Sequence, residues 1–125
     1  MAIVLHLIPA VDWSALAPEA AVTNPSLASA GFIHCTDEAS VLTQVANAFY
    51  SSVPGDFLVL HVDTDRLTGE CLWEAPAPMG GSGPSFAERF PHIYGPIDRA
   101  AVIAWQPVER DVSGTFTGYG ELHVV

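Results

Sequence analysis

The segment spanning residues 56–63 constrains the fold most, because its apolar side chains fall on both faces of an extended chain. Successive side chains of a strand point to opposite faces, so such a run predicts a central strand that is covered on both sides. Residues 3–9 have the same character, interrupted by His6. His61 interrupts the first run and is predicted to be a core or edge residue. We therefore expect both segments in the interior of a sheet.

Three segments between these two strands carry apolar side chains at helical spacing. Beyond residue 63 the pattern favours strands, at residues 71–74, 102–108 and 115–125. Helices and strands that alternate first and then give way to strands predict an α+β fold. We expect one domain over residues 1–125, with a curved mixed or antiparallel sheet that carries two or three helices. The helical segments and their candidate caps are residues 11–21 with Asp12, residues 26–30 with Ser26, and residues 36–50 with Thr36 or Asp37. Pro18 is expected to end or bend the first of them.

The charge of the chain excludes several classes of partner. The 125 residues include 14 acidic side chains and four arginines but no lysine, which gives a formal net charge of −10. Nucleic-acid backbones and anionic membrane surfaces require clustered cations, so neither is an expected partner. A small-molecule ligand is expected instead, with its phosphates held by backbone N–H groups or single arginines. Because the first arginine is Arg66, the N-terminus lacks the basic region of a signal peptide, and we expect a cytoplasmic protein.

The cysteines and histidines carry no metal signature. Cys35 and Cys71 lack the CxxC spacing of redox or zinc motifs, while a disulfide between them stays an open alternative. Cys35 and the neighbouring His34 point to opposite faces of a strand, so we expect a buried, inert thiol. Three histidines and a carboxylate are suitable zinc ligands, but no pair of them has signature spacing. We therefore predict no bound metal and no firm cofactor.

Two stretches place polar side chains inside otherwise apolar runs: residues 31–36 read GFIHCT, and residues 90–96 read FPHIYGP. Buried imidazole and hydroxyl groups need partners there, because each unsatisfied group costs roughly 1–3 kcal/mol. We predict that the stretches meet in one site, with His34 and His92 in the same cleft and His6 on its floor. The alternative is a satisfied core histidine at position 34 and a turn residue at position 92.

The candidate site residues divide by their chemistry. Imidazole and carboxylate groups suit acid/base work, and aromatic side chains can form walls for a planar ring. Backbone N–H groups near Thr36 and the guanidinium of Arg89 are the candidates for holding phosphate. Residues 75–89 are rich in Pro, Gly and Ser and are expected to form a mobile flap over the cleft. The predicted catalytic residues are His34, Glu74 and His92, and the predicted ligand-binding residues are His6, Thr36, Gly95 and the aromatic walls Trp73 and Tyr94.

Four segments carry a family resemblance: LHLI at residues 5–8, SLASAGFIHCT at 26–36, LWE at 72–74 and FPHIYGP at 90–96. They resemble the small bacterial family of domains of unknown function numbered 952, and the resemblance covers nearly the whole chain. It implies an ADP-ribosyltransferase-like fold, in which a first-strand histidine holds the nicotinamide-side ribose of NAD.

The resemblance also implies roles for individual residues. His6 looks like the first-strand histidine, and His34 stands where many relatives carry tyrosine. Glu74 is the candidate acid of the site, and Glu121 is the alternative to it. His92 or Tyr94 replaces the acid if neither serves. NAD is then the candidate substrate.

Two classes of function follow. The first is an enzyme that transfers ADP-ribosyl groups from NAD, with a carboxylate stabilising an oxocarbenium-like centre as nicotinamide leaves. The second is a non-enzymatic module that binds a small ligand or a protein. The near absence of cations favours the second class, since NAD carries two phosphates. The family-like histidines favour the first class.

Overall fold

The structure, a computed structural model, describes residues 2–75 and 89–125. The expected flap at residues 75–89 falls almost entirely outside these described residues. Within them the chain forms eight strands, three α-helices and two 3-10 turns, at Thr64–Arg66 and Arg99–Ala101. The strands are β1 (Ile3–Pro9), β2 (Ile33–His34), β3 (Phe57–Asp63), β4 (Glu70–Glu74), β5 (Phe90–Tyr94), β6 (Val102–Arg110), β7 (Phe116–Tyr119) and β8 (His123–Val124), and the helices are α1 (Ala10–Ala15), α2 (Pro25–Ala30) and α3 (Ala39–Phe49).

The strands form two sheets, and every pairing between the described strands is antiparallel. The larger sheet has the order β1-β3-β6-β7, with β8 also paired to β6, and the smaller sheet has the order β2-β5-β4. The α+β class is therefore confirmed, and of the two predicted kinds of sheet the antiparallel one is found.

One pair of residues joins the two sheets. The backbone N–H of Thr36 donates to the carbonyl of Leu5 at 2.9 Å, and the N–H of Leu5 donates back to Thr36. One residue earlier, the N–H of Cys35 donates in the other direction, to the carbonyl of Pro91 on β5 at 3.1 Å. Residues 33–36 therefore pair with the smaller sheet at one end and with β1 at the other, which gives a continuous curled surface.

The main core lies between the two sheets, and a second core lies between the larger sheet and α3. Side chains from alternate positions of β1 and β3 supply both cores, so these two strands are covered on both faces, as their sequences predict. His61 is half-buried and bonds Gln106 at 2.7 Å. The main core includes Val4, Ile8, Leu58, Leu60 and Val62 from the larger sheet and Ile33, Cys35 and Ile93 from the smaller one, while the second core includes Leu5, Val59 and Leu42.

The helices around residues 10–31 differ from their predicted bounds. Helix α1 ends at Ala15 rather than at residue 21, and the next residue, Leu16, is already extended. Pro18 explains this end, because proline cannot donate to a preceding carbonyl and disfavours a helical residue before it. Helix α2 is capped by Asn24, whose side chain accepts from the N–H of Ser26, so Ser26 is not the cap.

The start of α3 and the C-terminal strand also differ from prediction. Helix α3 begins at Ala39, because the N–H and carbonyl of Thr36 are already used in the bridge to Leu5. The strand predicted for residues 115–125 is two short strands, β7 and β8, which both pair with β6. Gly120 divides them, and its N–H donates to the carbonyl of Pro107 at 2.8 Å.

Candidate functional site

Strand pairing brings the two polar stretches together. In the ladder between β2 and β5, Ile33 lies opposite Ile93 and His34 lies opposite His92. Residues opposite each other in an antiparallel ladder point to the same face, so the two imidazoles are neighbours. Their ring centroids are 5.6 Å apart, in an edge-to-face arrangement. We call the side of the smaller sheet that carries these rings the histidine face; the other side faces the main core.

Three side chains of the histidine face form a hydrogen-bonded group around one carboxylate oxygen. Nδ1 of His92 lies 2.9 Å from Oε1 of Glu74, and the hydroxyl of Tyr94 donates to the same oxygen. The bond from Tyr94, and then the bond from His92, lower the pKa of Glu74, while the bond to Glu74 raises the pKa of Tyr94. Glu74 is therefore ionised near neutral pH and only accepts, which places a proton on Nδ1 of His92.

His6 occupies a gap between β1 and β2. The register of the bridge between Leu5 and Thr36 places His6 opposite Cys35, on the side of the main core, and would next pair Leu7 with His34. At that point Nδ1 of His6 lies 3.0 Å from the carbonyl oxygen of His34 instead. A carbonyl only accepts, so Nδ1 carries the proton and Nε2 has a free lone pair. Burial is the main cause that lowers the pKa of His6 to about 4, so the ring is neutral at physiological pH.

Three buried polar atoms have no hydrogen-bond partner among the described residues: Nε2 of His6, Oγ1 of Thr36 and Nε2 of His92. These residues are only 3%, 4% and 2% exposed. Native interiors contain few such atoms, and each costs roughly 1–3 kcal/mol. All three belong to residues that pair with or contact the segment at residues 34–36. The three unsatisfied polar atoms therefore lie on or beside a single short segment of the chain.

His34 lies between the residues that carry these atoms. Its side chain is half-buried, and alternation along residues 34–36 places it on the same face as Thr36. Burial first, and then the nearby imidazole of His92, lower the pKa of His34. A neutral imidazole with partial access to solvent thus adjoins a buried hydroxyl and two buried imidazoles.

Trp73 does not lie where the sequence analysis placed it. Within β4, Leu72 pairs with His92 and Trp73 pairs with Pro91, so Trp73 points away from the histidine face. Its ring packs against the main core, and its indole N–H donates to Asp37 at 3.0 Å. The prediction that Trp73 is an aromatic wall beside Tyr94 is therefore wrong, because adjacent strand residues point to opposite faces.

Phe32 is the aromatic side chain that sequence reasoning missed. Its ring stacks on the imidazole of His92 with centroids 4.0 Å apart, and it lies 5.4 Å from the ring of Tyr94. The alternation that places Phe32 on the same face as His34 was a sufficient signal. Phe32 thus joins Tyr94 as an aromatic side chain of the histidine face.

The remaining candidates lie at its edges or elsewhere. Gly95 lies beyond the end of β5, where its backbone packs beside Gly69, and its φ of +148° is one that glycine adopts freely. Glu121 is exposed in the segment between β7 and β8. Glu74 rather than Glu121 is therefore the acid that the fold brings to the two histidines.

The groups proposed to hold phosphate are already engaged. The N–H of Thr36 donates to Leu5, and Arg89 donates to the carbonyl of Trp73 at 3.1 Å. The three other arginines also donate to backbone carbonyls, at Ala100, Ala17 and Val53 among others. A phosphate at this site would have to compete with contacts that hold the fold together.

The cysteines are free thiols in this structure. Burial raises the pKa of Cys35 well above its usual range and raises the pKa of Cys71 to about 11. Both thiols are thus protonated at neutral pH, and the inert, buried Cys35 that the sequence predicts is found. Within residues 2–75 and 89–125, no three His, Cys, Asp or Glu side chains are arranged to hold a metal ion. In the same part of the chain, the structure has no helix long and apolar enough to cross a membrane.

Comparisons with known proteins give a family and a fold. A family model described as "Protein of unknown function (DUF952)" matches residues 7–105. The chain is similar in structure to protein CC0527 from Caulobacter crescentus, whose crystal structure superposes with a TM-score of 0.67. The two sequences are 22% identical, and the match covers 92% of this chain and 93% of that chain. A double mutant of CC0527 matches at 21% identity with the same TM-score and coverage. These matches do not show an ADP-ribosyltransferase fold, and no curated protein matches the chain.

Proposed function

This chain belongs to the DUF952 family of proteins of unknown function, and we propose that its histidine face binds a small ligand that carries a planar ring and a ribose. The observation that supports this proposal is the set of three buried atoms without partners among the described residues: those of Thr36 and His92 on the histidine face, and that of His6, which bonds the backbone of His34 from the side of the main core. A fold that needed these positions only for packing would lose less free energy with apolar side chains there. A ligand that bonds to these atoms offsets the cost.

The proton positions favour a ligand rich in hydroxyl groups. Nδ1 of His6 and Nδ1 of His92 already donate, to the carbonyl of His34 and to Glu74, so in the neutral rings each Nε2 accepts. Two acceptors and the hydroxyl of Thr36 are groups of the kind that bond to the hydroxyls of a ribose. The rings of Phe32 and Tyr94 offer apolar faces to a planar base.

NAD and ADP-ribose are the leading candidates, because the sequence resemblance implies a first-strand histidine that holds the ribose of NAD. In that assignment His6 holds the ribose on the nicotinamide side. Because the arginines donate to carbonyls of the fold itself, stacking and hydrogen bonds supply most of the affinity. Affinity then changes little with salt, since screening acts on charge–charge attraction.

Transfer of the ADP-ribosyl group is the reaction that this ligand allows. As the bond from the ribose to nicotinamide breaks, positive charge develops on the ribose ring, and the carboxylate of Glu74 stabilises it. The non-enzymatic binding module is the second candidate. It is favoured by the bonds from Tyr94 and His92, which already occupy one oxygen of this carboxylate. Release of nicotinamide from NAD by the purified protein separates the two candidates.

The binding test is a titration of His34→Ala and wild type with NAD and ADP-ribose at two salt concentrations, followed by NMR chemical shifts. Loss of the imidazole removes one contact to the ligand and leaves its partner group unpaired, so we expect binding to weaken by roughly 1–3 kcal/mol. His123→Ala is the matched control, because that histidine lies on β8, stacked on Trp105. We expect the control to bind like wild type.

Two results would contradict the proposal. Wild type that shows no binding at millimolar ligand ends the assignment to NAD-like ligands. Equal binding by wild type and His34→Ala moves the ligand away from the histidine face.

A further inference from the structure

We infer that Glu74 and Tyr94 are positioning residues for His92: they hold its proton on Nδ1 and so direct Nε2, as a hydrogen-bond acceptor, to a hydroxyl of the ligand. This inference rests on the proposed function and deepens it. The positioning role is separate from the contacts proposed above for the ring of Tyr94 and the carboxylate of Glu74, because it acts through the imidazole of His92.

The geometry fixes the imidazole in three ways. The carboxylate of Glu74 accepts from Nδ1 at 2.9 Å, which selects the tautomer. The hydroxyl of Tyr94 donates to the same carboxylate oxygen and so holds that oxygen in place. Phe32 stacks on the ring with centroids 4.0 Å and planes 19° apart, which fixes the plane of the imidazole. Nε2 is the remaining ring nitrogen, and it is buried with no partner among the described residues.

A purely structural role does not account for this arrangement. The side chain of Glu74 is 38% exposed, and ion pairs at that exposure contribute little to stability. His92 is buried, and its Nε2 has no hydrogen-bond partner within residues 2–75 and 89–125. An unsatisfied buried nitrogen lowers the stability of the folded protein. An aromatic hydrocarbon at position 92 would stack on Phe32 without that cost. We therefore attribute the presence of Glu74 and His92 at these positions to a contact between Nε2 of His92 and the ligand.

The orientation also defines the chemistry of the ligand group. A lone pair on Nε2 requires a donor, so an acceptor-only group such as a carbonyl or an ether is excluded at this position. The proton on Nδ1 and the lone pair on Nε2 are set by Glu74, in the way that outer carboxylates orient histidines at metal sites. The neighbouring His34 does not oppose this arrangement with a charge, because burial and His92 lower its pKa.

The test reads the tautomer of His92 in the ligand-free protein from the chemical shifts of its ring nitrogens. In wild type we expect the proton on Nδ1. In Glu74→Ala we expect the population to move to the tautomer with the proton on Nε2, which free histidine favours. Tyr94→Phe should keep the wild-type tautomer and raise the pKa of Glu74 towards its ordinary value, because the largest cause of its lowering is removed.

Glu70→Ala is the matched control. Glu70 lies on the same strand as Glu74 and pairs with Tyr94 in register, but it is exposed. We expect its removal to leave the ring-nitrogen shifts of His92 unchanged. In titrations with ADP-ribose, Glu74→Ala should bind about tenfold more weakly than wild type, which corresponds to one lost hydrogen bond. Glu70→Ala should bind as wild type does.

The outcomes separate this inference from the function on which it rests. A wild-type tautomer with the proton on Nε2, or an unchanged tautomer in Glu74→Ala, overturns the inference whatever the protein binds. The expected tautomers together with no binding of ADP-ribose by wild type overturn the proposed ligand and leave the positioning of His92 supported.

Discussion

At the scale of one residue, the backbone of Thr36 has a structural role, whereas its side chain has none that the described residues explain. Its backbone joins the two sheets through the bridge to Leu5. Its hydroxyl is buried without a partner among the described residues, so the side chain contributes nothing to that bridge. Threonine costs stability at this position, and valine would have nearly the same shape. A buried hydroxyl without a partner is expected at this position if it forms a hydrogen bond to a ligand.

We predict that Thr36→Val raises the free energy of unfolding of the ligand-free protein by about 1 kcal/mol, because it removes an unsatisfied buried hydroxyl. The same substitution should weaken binding of ADP-ribose. Urea denaturation with and without ligand measures both effects. Thr43→Val is the control with the opposite sign, because the hydroxyl of Thr43 bonds the hydroxyl of Tyr119 at 2.8 Å. If Thr36→Val destabilises the protein as Thr43→Val does, the hydroxyl of Thr36 is structural.

At the scale of elements, Arg110 ties together loops that strand pairing leaves separate. It ends β6, and its guanidinium donates to the carbonyls of Val53 and Gly55 at 2.7 and 2.6 Å. Further bonds reach Ser51 at 3.0 Å and Gly114 at 3.1 Å. The loop after α3 and the turn after β6 are therefore held by one planar cation. This use of its donors makes Arg110 a structural residue rather than an anion-binding one.

We predict that Arg110→Lys lowers the free energy of unfolding by about 2 kcal/mol, because an ammonium group keeps the charge but lacks the planar fork that reaches several carbonyls. Thermal or urea unfolding measures the change. Arg66→Lys is the control: its side chain is 60% exposed and contacts the carboxylate of Asp63 at 3.5 Å through a single N–H, and lysine keeps the charge, so its effect should be small. Equal effects of the two substitutions would contradict the role of Arg110.

At the scale of the whole molecule, the buried imidazole of His6 makes stability depend on pH. The pKa of His6 is about 4 in the folded protein, whereas an exposed histidine has an ordinary pKa of 6.5. Between these values the unfolded chain binds the proton and the folded chain does not, so acidification favours unfolding. This contribution is fully present above pH 6.5 and is lost as the pH falls to 4. Carboxylates whose pKa is lowered in the folded protein, such as Glu74 and Asp98, also stabilise it, and their contribution is lost at lower pH.

We predict that the free energy of unfolding falls by roughly 3 kcal/mol between about pH 7 and pH 4 through His6, at about 1.4 kcal/mol per unit of pKa difference. The comparison is with His6→Asn, whose amide N–H can still donate to the carbonyl of His34 but does not titrate in this range. Urea unfolding at several pH values should give a steeper dependence for wild type than for the variant. Parallel curves would show that His6 is not the group responsible.

Strand and helix identity followed from the sequence because local patterns determine them. The apolar run at residues 3–9 is β1 in full, and the run at residues 56–63 is β3 within one residue. The pairing of His34 with His92 also follows the expectation that two polar stretches inside apolar runs must share partners. These features depend on periodicity and on the cost of burying polar groups, which are written in the chain itself.

Tertiary structure alone decided the features that depend on partners distant in sequence. The late start of α3 follows from the bridge to Leu5, which uses the backbone of Thr36. The proton positions on His6 and His92 follow from a carbonyl and a carboxylate supplied by other strands. Trp73 could have been placed by alternation, but which face of β4 meets the core was decided only by its pairing with β5. Local pattern carries no information about register, and register determines which groups meet.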